Sequence, residues 1–592
     1  MPKRKFLSRT DREYIASMIP ESTPDWKKAW EEGYKMGETL EIKETPFKKK
    51  YGVKSDVEYR MRLKEKGKLC WKINTGLATV EEQAEAMKAA EKFNEETGMC
   101  ISYAHQLPQN ITGVPKDKRE GLPISLGFML NEPEDWEKIT MAATVQPIFG
   151  DNHLGWPNAV ETTLNSVRAG STYTGLFSTY VQVAPGCPDE VWNMTEIVKA
   201  LGITAAKYDD KVVVNDQSDD GYGAYFSDLA TSLAMTRMDR YIVSDLCKSR
   251  FCYSFGNFTQ NIMEKVALWL AASDIFSTED QPGIGFMYPD TISHWDHHLH
   301  ANYGFQIPEV LMFVLAEDRF KTGSAFLSVP ITEKVAIPTV PEMLDMTAAC
   351  QRTEEVVYYW RDLINWEPIE KLRDQVIKFS ETMFQNMLDG LEEAGVDITN
   401  PIELMVVLKS MDPFALEKMF HPSIVNDGKE EMEPLIPAAL WNATQNELAS
   451  QISYLSKKGY PEQVKNKKVC IASGDVHFAG AAVIAGVLKE FGADVIDGGN
   501  QLEAIDVLDL ADEYGVTDIC ISLHNGQALP YAKLLVELAK QRNKEYRFFM
   551  GGVMQSFLNP DDEVPTDVTK EINELGIVTC TTVEDLLQKL IK

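Results

Sequence analysis

The chain lacks paired cysteines: there are nine in 592 residues, an odd number, and no two stand in a Cys-x-x-Cys spacing. A zinc-ribbon or disulfide framework has no foothold in that pattern. The economical reading is a reduced, intracellular protein whose thiols serve as small apolar side chains. Positive charge is also scarce, with 59 Lys and Arg against 89 Asp and Glu and a formal net charge of -30. Such a surface repels nucleic acid and anionic lipid, so neither is expected as a partner. No uninterrupted apolar run reaches membrane-spanning length. The first residues carry basic side chains but no apolar stretch, so no signal peptide is read there and a cytoplasmic location is expected. Repeats and low-complexity tracts are missing too. What is present, 44% hydrophobic and 25% charged residues, is ordinary for globular domains, and the length allows two to four of them.

Residues 1–65 are charged and mixed, and read as an N-terminal arm. From about 66 to 365 short apolar runs alternate with amphipathic helices. The strands are read at 99–103, 123–127, 172–183, 240–243, 251–255, 283–288 and 325–329. The helices include 80–95, 161–169 and 260–272. Such alternation predicts a parallel (β/α)8-type barrel. Residues 366–464 are mostly helical and end in a Lys457–Pro461 linker. Residues 465–592 change to doubly wound α/β, with five strands at 468–472, 493–497, 518–522, 547–551 and 577–579, a flavodoxin-like (Rossmann-like) pattern.

In that last segment, Asp475-Val476-His477-Phe478-Ala479-Gly480 reads Asp-x-His-x-x-Gly, directly after the first strand. Ser522-Leu523 ends the third strand and Gly551-Gly552 the fourth. In open α/β sheets ligands sit at the carboxyl ends of the strands, where all three pieces fall. A metal-bound imidazole usually donates its other N–H to a carboxylate, and Asp475 is placed to receive it from His477. Glycines let a bulky group lie against the backbone.

These motifs resemble the cobalamin-binding domain of base-off, His-on B12 enzymes. Forty residues separate Gly480 from Ile521 and 27 separate Leu523 from Gly551, a spacing that fits the family. Ile521 stands where the family's first serine usually does; Ser522 is beside it. The resemblance implies a cobalt corrinoid, adenosylcobalamin in a mutase, with His477 as the cobalt ligand. Asp475, Gly480, Ser522, Leu523, Gly551 and Gly552 would hold the cofactor.

The larger part resembles the barrel subunit of glutamate mutase. Tyr253-Ser254-Phe255-Gly256-Asn257, Thr332 to Thr339, and Met411-Asp412-Pro413-Phe414 with His421-Pro422-Ser423 carry that likeness. It implies cofactor contact by Asn257 and catalytic roles for Glu333 and Tyr180. The family's carboxylate-binding arginines are missing: Asn74, residues 108–111 and Asn152-His153 stand in their places, and Thr174 stands near the amino-group partner. Glutamate is therefore not the expected substrate. A fused mutase of this size resembles 2-methyleneglutarate mutase, whose substrate carries no amino group. The substrate expected is a small carboxylate, held by other basic groups such as Arg168 or histidines, in a homo-oligomer.

Four of the nine histidines lie in His294-Trp295-Asp296-His297-His298-Leu299-His300. Substrate binding at a barrel mouth is the preferred reading, with His294 and His297 as candidates. A metal site and a solvated loop are the alternatives. His105 and His421 read as structural, and Tyr358-Tyr359-Trp360 as helix packing. A corrinoid methyltransferase, an aminomutase that also uses pyridoxal phosphate, and a non-enzymatic cobalamin carrier remain open as other classes.

Overall fold

The computed structural model describes residues 7–120, 122, 127–150, 153–256, 261–291, 295, 298–333, 337–474, 479–499, 502–524, 528–556 and 566–592. Eight strands form one parallel sheet: β1 (Cys70–Thr75), β2 (Ile101–Gln106), β3 (Gln146–Ile148), β4 (Tyr173–Thr174), β5 (Val213–Asp216), β6 (Arg250–Phe255), β7 (Ile284–Met287) and β8 (Ala325–Leu327). Their order, β3-β2-β1-β8-β7-β6-β5-β4, leaves only β3 and β4 as edges. A bridge from Phe149 to Thr174 joins those, so the sheet is a nearly closed barrel. The expected barrel is therefore present.

Three of its strands, β1, β3 and β5, are not among those read from the sequence, and one expected strand is a helix. Arg240 ends the helix Leu229–Arg240, and Tyr241–Leu246 continues it in wide π turns, so 240–243 is not a strand. A run of four apolar residues carries no period that separates strand from helix. The strand in that part of the chain is β5, which pairs β4 on one side and β6 on the other. The expected strand at 123–127 falls almost wholly outside the described residues.

The helices 46–51 and 56–65 close the barrel's floor. Arg60 donates to the carbonyls of Gly323 and Ile284, which lie at the starts of β8 and β7. Asp56 accepts from the backbone and hydroxyl of Thr172, and Tyr103 donates to the Asp56 carbonyl. Phe47, Tyr59 and Tyr103 pack ring on ring above this plug. Parallel β/α architecture then puts the open mouth at the carboxyl ends of the strands.

The long helix Glu367–Glu393 packs on the barrel helices Leu229–Arg240 and Ile262–Phe276. Residues up to 437 are tied to the same wall: Asp228 accepts from the backbone N–H groups of Leu435 and Ile436, and also meets His421 Nε2 at 3.2 Å. Tyr359 is 84% exposed and Trp360 45%, which corrects the packing expected of them. The helix Val340–Val357 ends just before them in a 3₁₀ turn, which swings both rings off the buried face.

The C-terminal sheet is β9 (Lys468–Ser473), β10 (Asp494–Asp497), β11 (Asp518–Leu523), β12 (Arg547–Gly552) and β13 (Val578–Thr579). Its order, β10-β9-β11-β12-β13, is the flavodoxin-like 2-1-3-4-5, all parallel.

Candidate functional site

At the carboxyl edge of the C-terminal sheet, Gly480, Ser522, Gly551 and Gly552 line one cavity of about 410 Å³. Each piece has a local cause. Gly480 opens the helix Ala479–Glu490, and a Cβ there would lie 3.3 Å from Ser522 Oγ, so glycine keeps the space between them open. Gly552 has φ +108°, and a Cβ on it would fall 2.0 Å from the Leu523 carbonyl oxygen. Only glycine allows β12 to pass β11 so closely at this edge. The Leu523 side chain is buried and packs behind the cavity against Gly474. Gly474 N donates to the Ser522 carbonyl, fixing the end of β9 to the end of β11.

The cavity walls are apolar, among them Ile471, Val483, Phe549 and Leu586. Its open side is covered from outside the expected domain. The helix Ala439–Ser456 lies along Ala479–Glu490 and contributes Leu440, Thr444 and Glu447 to the lining. A side chain on Gly486 would meet Leu448 at 2.7 Å, so the two helices are in close contact. Burial pushes the Cys580 thiol on the rim up to about 11, which keeps it protonated and inert near neutral pH. A deep apolar slot with backbone-only glycine rims fits the planar end of a nucleotide tail. Asp475 and His477 lie outside the described residues.

The barrel's mouth faces this edge. Glu503, which caps the helix Ala504–Glu513, lies beside the Asn110 side chain in the loop after β2. Gly499 stands beside Tyr225: a Cβ there would be 3.6 Å from its hydroxyl. Burial pushes Glu503 and Asp506 up to about 7, each far above the carboxylate range.

Of the catalytic candidates, Glu333 sits in the turn just past β8, at the mouth, with its N–H on the Pro330 carbonyl. Tyr180 is fully buried in the core shared with the outer helices, and its hydroxyl lies 3.3 Å from Asp239 of the helix Leu229–Arg240. Asn257, His294 and His297 lie outside the described residues. From the histidine cluster, Trp295 is buried among the barrel-interior residues, while His298 and His300 are exposed. Among the described residues no group of three His, Cys, Asp or Glu could hold a metal ion. Arg168 is not at the mouth. It ends the helix Ala159–Arg168, bonds Asn165 one turn back and precedes β4, which puts it at the floor end.

The interior holds a polar group that the sequence reading missed. Lys72, at an inward position of β1, is fully buried with its Nζ 2.7 Å from His105 Nδ1 and 3.3 Å from the Tyr288 hydroxyl. A lysine between Trp71 and Ile73 in a strand is the one signal of it in the sequence.

Residues 470–569 match the family model described as "B12 binding domain". No curated protein matches the chain. The matched segment begins in β9 and spans the edge that carries Gly480, Ser522 and the Gly551-Gly552 pair. A glycine-rimmed apolar cavity at the carboxyl edge of a 2-1-3-4-5 sheet, inside a matched B12-binding segment, makes this chain a cobalamin-dependent protein with an eight-stranded barrel ahead of its cobalamin domain.

Proposed function

We propose that the protein is an adenosylcobalamin-dependent carbon-skeleton mutase acting on a small carboxylate, with 2-methyleneglutarate and 3-methylitaconate as the candidate pair. The observation that carries this reading is the apposition of the barrel mouth to the carboxyl edge of the cobalamin domain through Asn110 and Glu503. A corrinoid held at that edge faces the barrel interior, where a reacting substrate is shut away from water. Bound adenosylcobalamin would supply a cobalt–carbon bond that breaks homolytically, which is the chemistry a carbon-skeleton rearrangement needs. The chain's own part is to hold and enclose. His477, with Asp475 as its partner, would ligate cobalt. Ser522 and the glycines would seat the nucleotide tail. Glu333, past the end of β8, and Asn257 would position the reacting end. The same reading places the protein in the cytoplasm as a homo-oligomer.

In a corrinoid methyltransferase the helical region 366–464 would act as a cap over the corrin. Glu367–Glu393 packs on barrel helices, whereas Ala439–Ser456 of the same region lies on the cobalamin domain, so the cap reading stands as the alternative. The test is a panel in which the full chain, loaded with adenosylcobalamin or methylcobalamin, is offered 2-methyleneglutarate, glutamate, ornithine and lysine. Isomerisation of 2-methyleneglutarate with the adenosyl form alone is expected. Methyl transfer from methylcobalamin, with no isomerisation, would decide for the other class. Electron paramagnetic resonance of the adenosylcobalamin-loaded protein given substrate should show a cob(II)alamin signal split by one imidazole nitrogen. His477→Gly should remove the splitting, and splitting that survives would mean another ligand.

A further inference from the structure

We infer that Lys72, with His105 and Tyr288, is the carboxylate-binding site of the barrel. The three side chains come from β1, β2 and the end of β7. Lys72 Nζ is 2.7 Å from His105 Nδ1, and the Tyr288 hydroxyl is 3.3 Å from each of these atoms. An ammonium has only protons to give, so His105 accepts at Nδ1 and carries its own proton on Nε2. That nitrogen faces the backbone of Gly150, where a Cβ would come within 2.5 Å of it. The Lys72 ammonium also lies 3.3 Å from the centre of the Phe286 ring, with the His105 ring stacked on the same phenyl. The Lys72 ammonium and the Tyr288 phenol therefore meet as donors at one buried place, while the imidazole N–H points away from them toward Gly150.

Packing does not call for these residues. Barrel interiors are ordinarily filled by layers of branched apolar side chains, and a buried cation is expensive to keep. Two polar groups on the inner wall have an atom with no hydrogen-bond partner among the described residues. Asn74, two residues past Lys72 toward the mouth and level with His105 across the β1–β2 ladder, has a buried Oδ1 with no hydrogen bond. Asn215 of β5 accepts from Tyr173 and Ser254 at Oδ1, but its buried Nδ2 donates to nothing. Tyr173 joins the two sides, its ring edge-on to Phe286 at 4.9 Å. An interior that keeps a cation and leaves both a donor and an acceptor unsatisfied is built for a polar ligand. The donors match a carboxylate, and Asn74 and Asn215 suit the oxygen-bearing remainder of a small acid. Lys72 then holds the charge that arginines would hold elsewhere: Arg60 is bound to floor carbonyls, Arg119 to the carbonyls of Val114 and Thr112, and Arg168 to its own helix.

The inference rests on reading the barrel as the substrate domain, and its test is independent of turnover. Binding of glutarate, 2-methyleneglutarate and the uncharged glutaramide to the full chain is measured by calorimetry, with and without adenosylcobalamin. Wild type should bind both acids and not the diamide. Lys72→Met, which keeps the volume and removes the charge, should weaken the acids at least 30-fold. Tyr288→Phe should weaken them about tenfold. Equal affinity in a folded Lys72→Met, judged by circular dichroism and corrinoid binding, overturns the site, as does a wild type that binds no acid. If Lys72→Met does not fold, Tyr288→Phe decides, and unchanged affinity there overturns it. Absence of isomerisation would sink the mutase reading and leave these affinities standing.

Discussion

At the residue scale, burial strongly perturbs the carboxylates behind the mouth. Asp216 ends β5 fully buried, and burial, with Asp219 close by, pushes its carboxyl up to about 8. Asp239 is raised well above the usual range by the same burial and by Asp216. A carboxyl with a raised pKa is neutral in the fold while the unfolded chain has already lost the proton. Its contribution is therefore complete below about pH 4, declines as pH rises toward 8, and is gone above that value. Asp216→Asn keeps the shape and removes the titration. We expect a Tm closest to wild type near pH 4 and rising above wild type toward pH 8, read by scanning calorimetry. Two parallel curves would mean that Asp216 ionises normally. This pair also gives Tyr180 a role that its sequence position did not announce: its phenol meets Asp239, so it supports a buried acid.

At the element scale, small residues decide where helices meet. The helix Trp26–Glu38 crosses Glu190–Ala206 with Gly33 against the Lys199 carbonyl and Gly202 against the Trp30 carbonyl. A Cβ on Gly33 would sit 1.8 Å from that oxygen, so no side chain fits without parting the helices. Gly33→Ala should cost about 1–3 kcal/mol, seen as a lower Tm with cobalamin binding unchanged; an unaltered Tm would show that the crossing is loose. Nothing in the sequence marks Gly33, because the close approach depends on a partner far along the chain. The same distinction runs through the whole fold. The five strands of the cobalamin domain were legible because each is a short apolar run between turn signals, and the glycine motifs because their cause is local. β5 was missed and 240–243 misread, since a few apolar residues without period look alike in both states. Lys72, His105 and Tyr288 were illegible as a group: only the β1–β2 register and the curl of the barrel bring them within 3.3 Å.

At the scale of the whole molecule, the two sheets present their carboxyl edges to one another, and acids lie in the seam. Glu503 and Asp506 cap one helix start, Glu503 N donating to Asp506 Oδ2 at 3.3 Å, while Glu503 also reaches Asn110 of the barrel. Burial pushes both carboxyls up to about 7. Opening the seam would return water to them and restore ordinary values near 4. Closing therefore takes up protons between about pH 4 and 7. The closed form should gain as pH falls through neutrality, because the neutral acids tolerate burial that the charged ones resist. Small-angle X-ray scattering of the full chain should show a smaller radius of gyration at pH 6 than at pH 8. A Glu503→Gln, Asp506→Asn double variant should stay compact at both. If the wild-type radius does not change with pH, the acids keep contact with solvent in the closed form. If the variant expands as wild type does, other groups in the seam carry the titration. Such a dependence matters to function, since dry closure of the mouth is what the reaction proposed for the barrel requires.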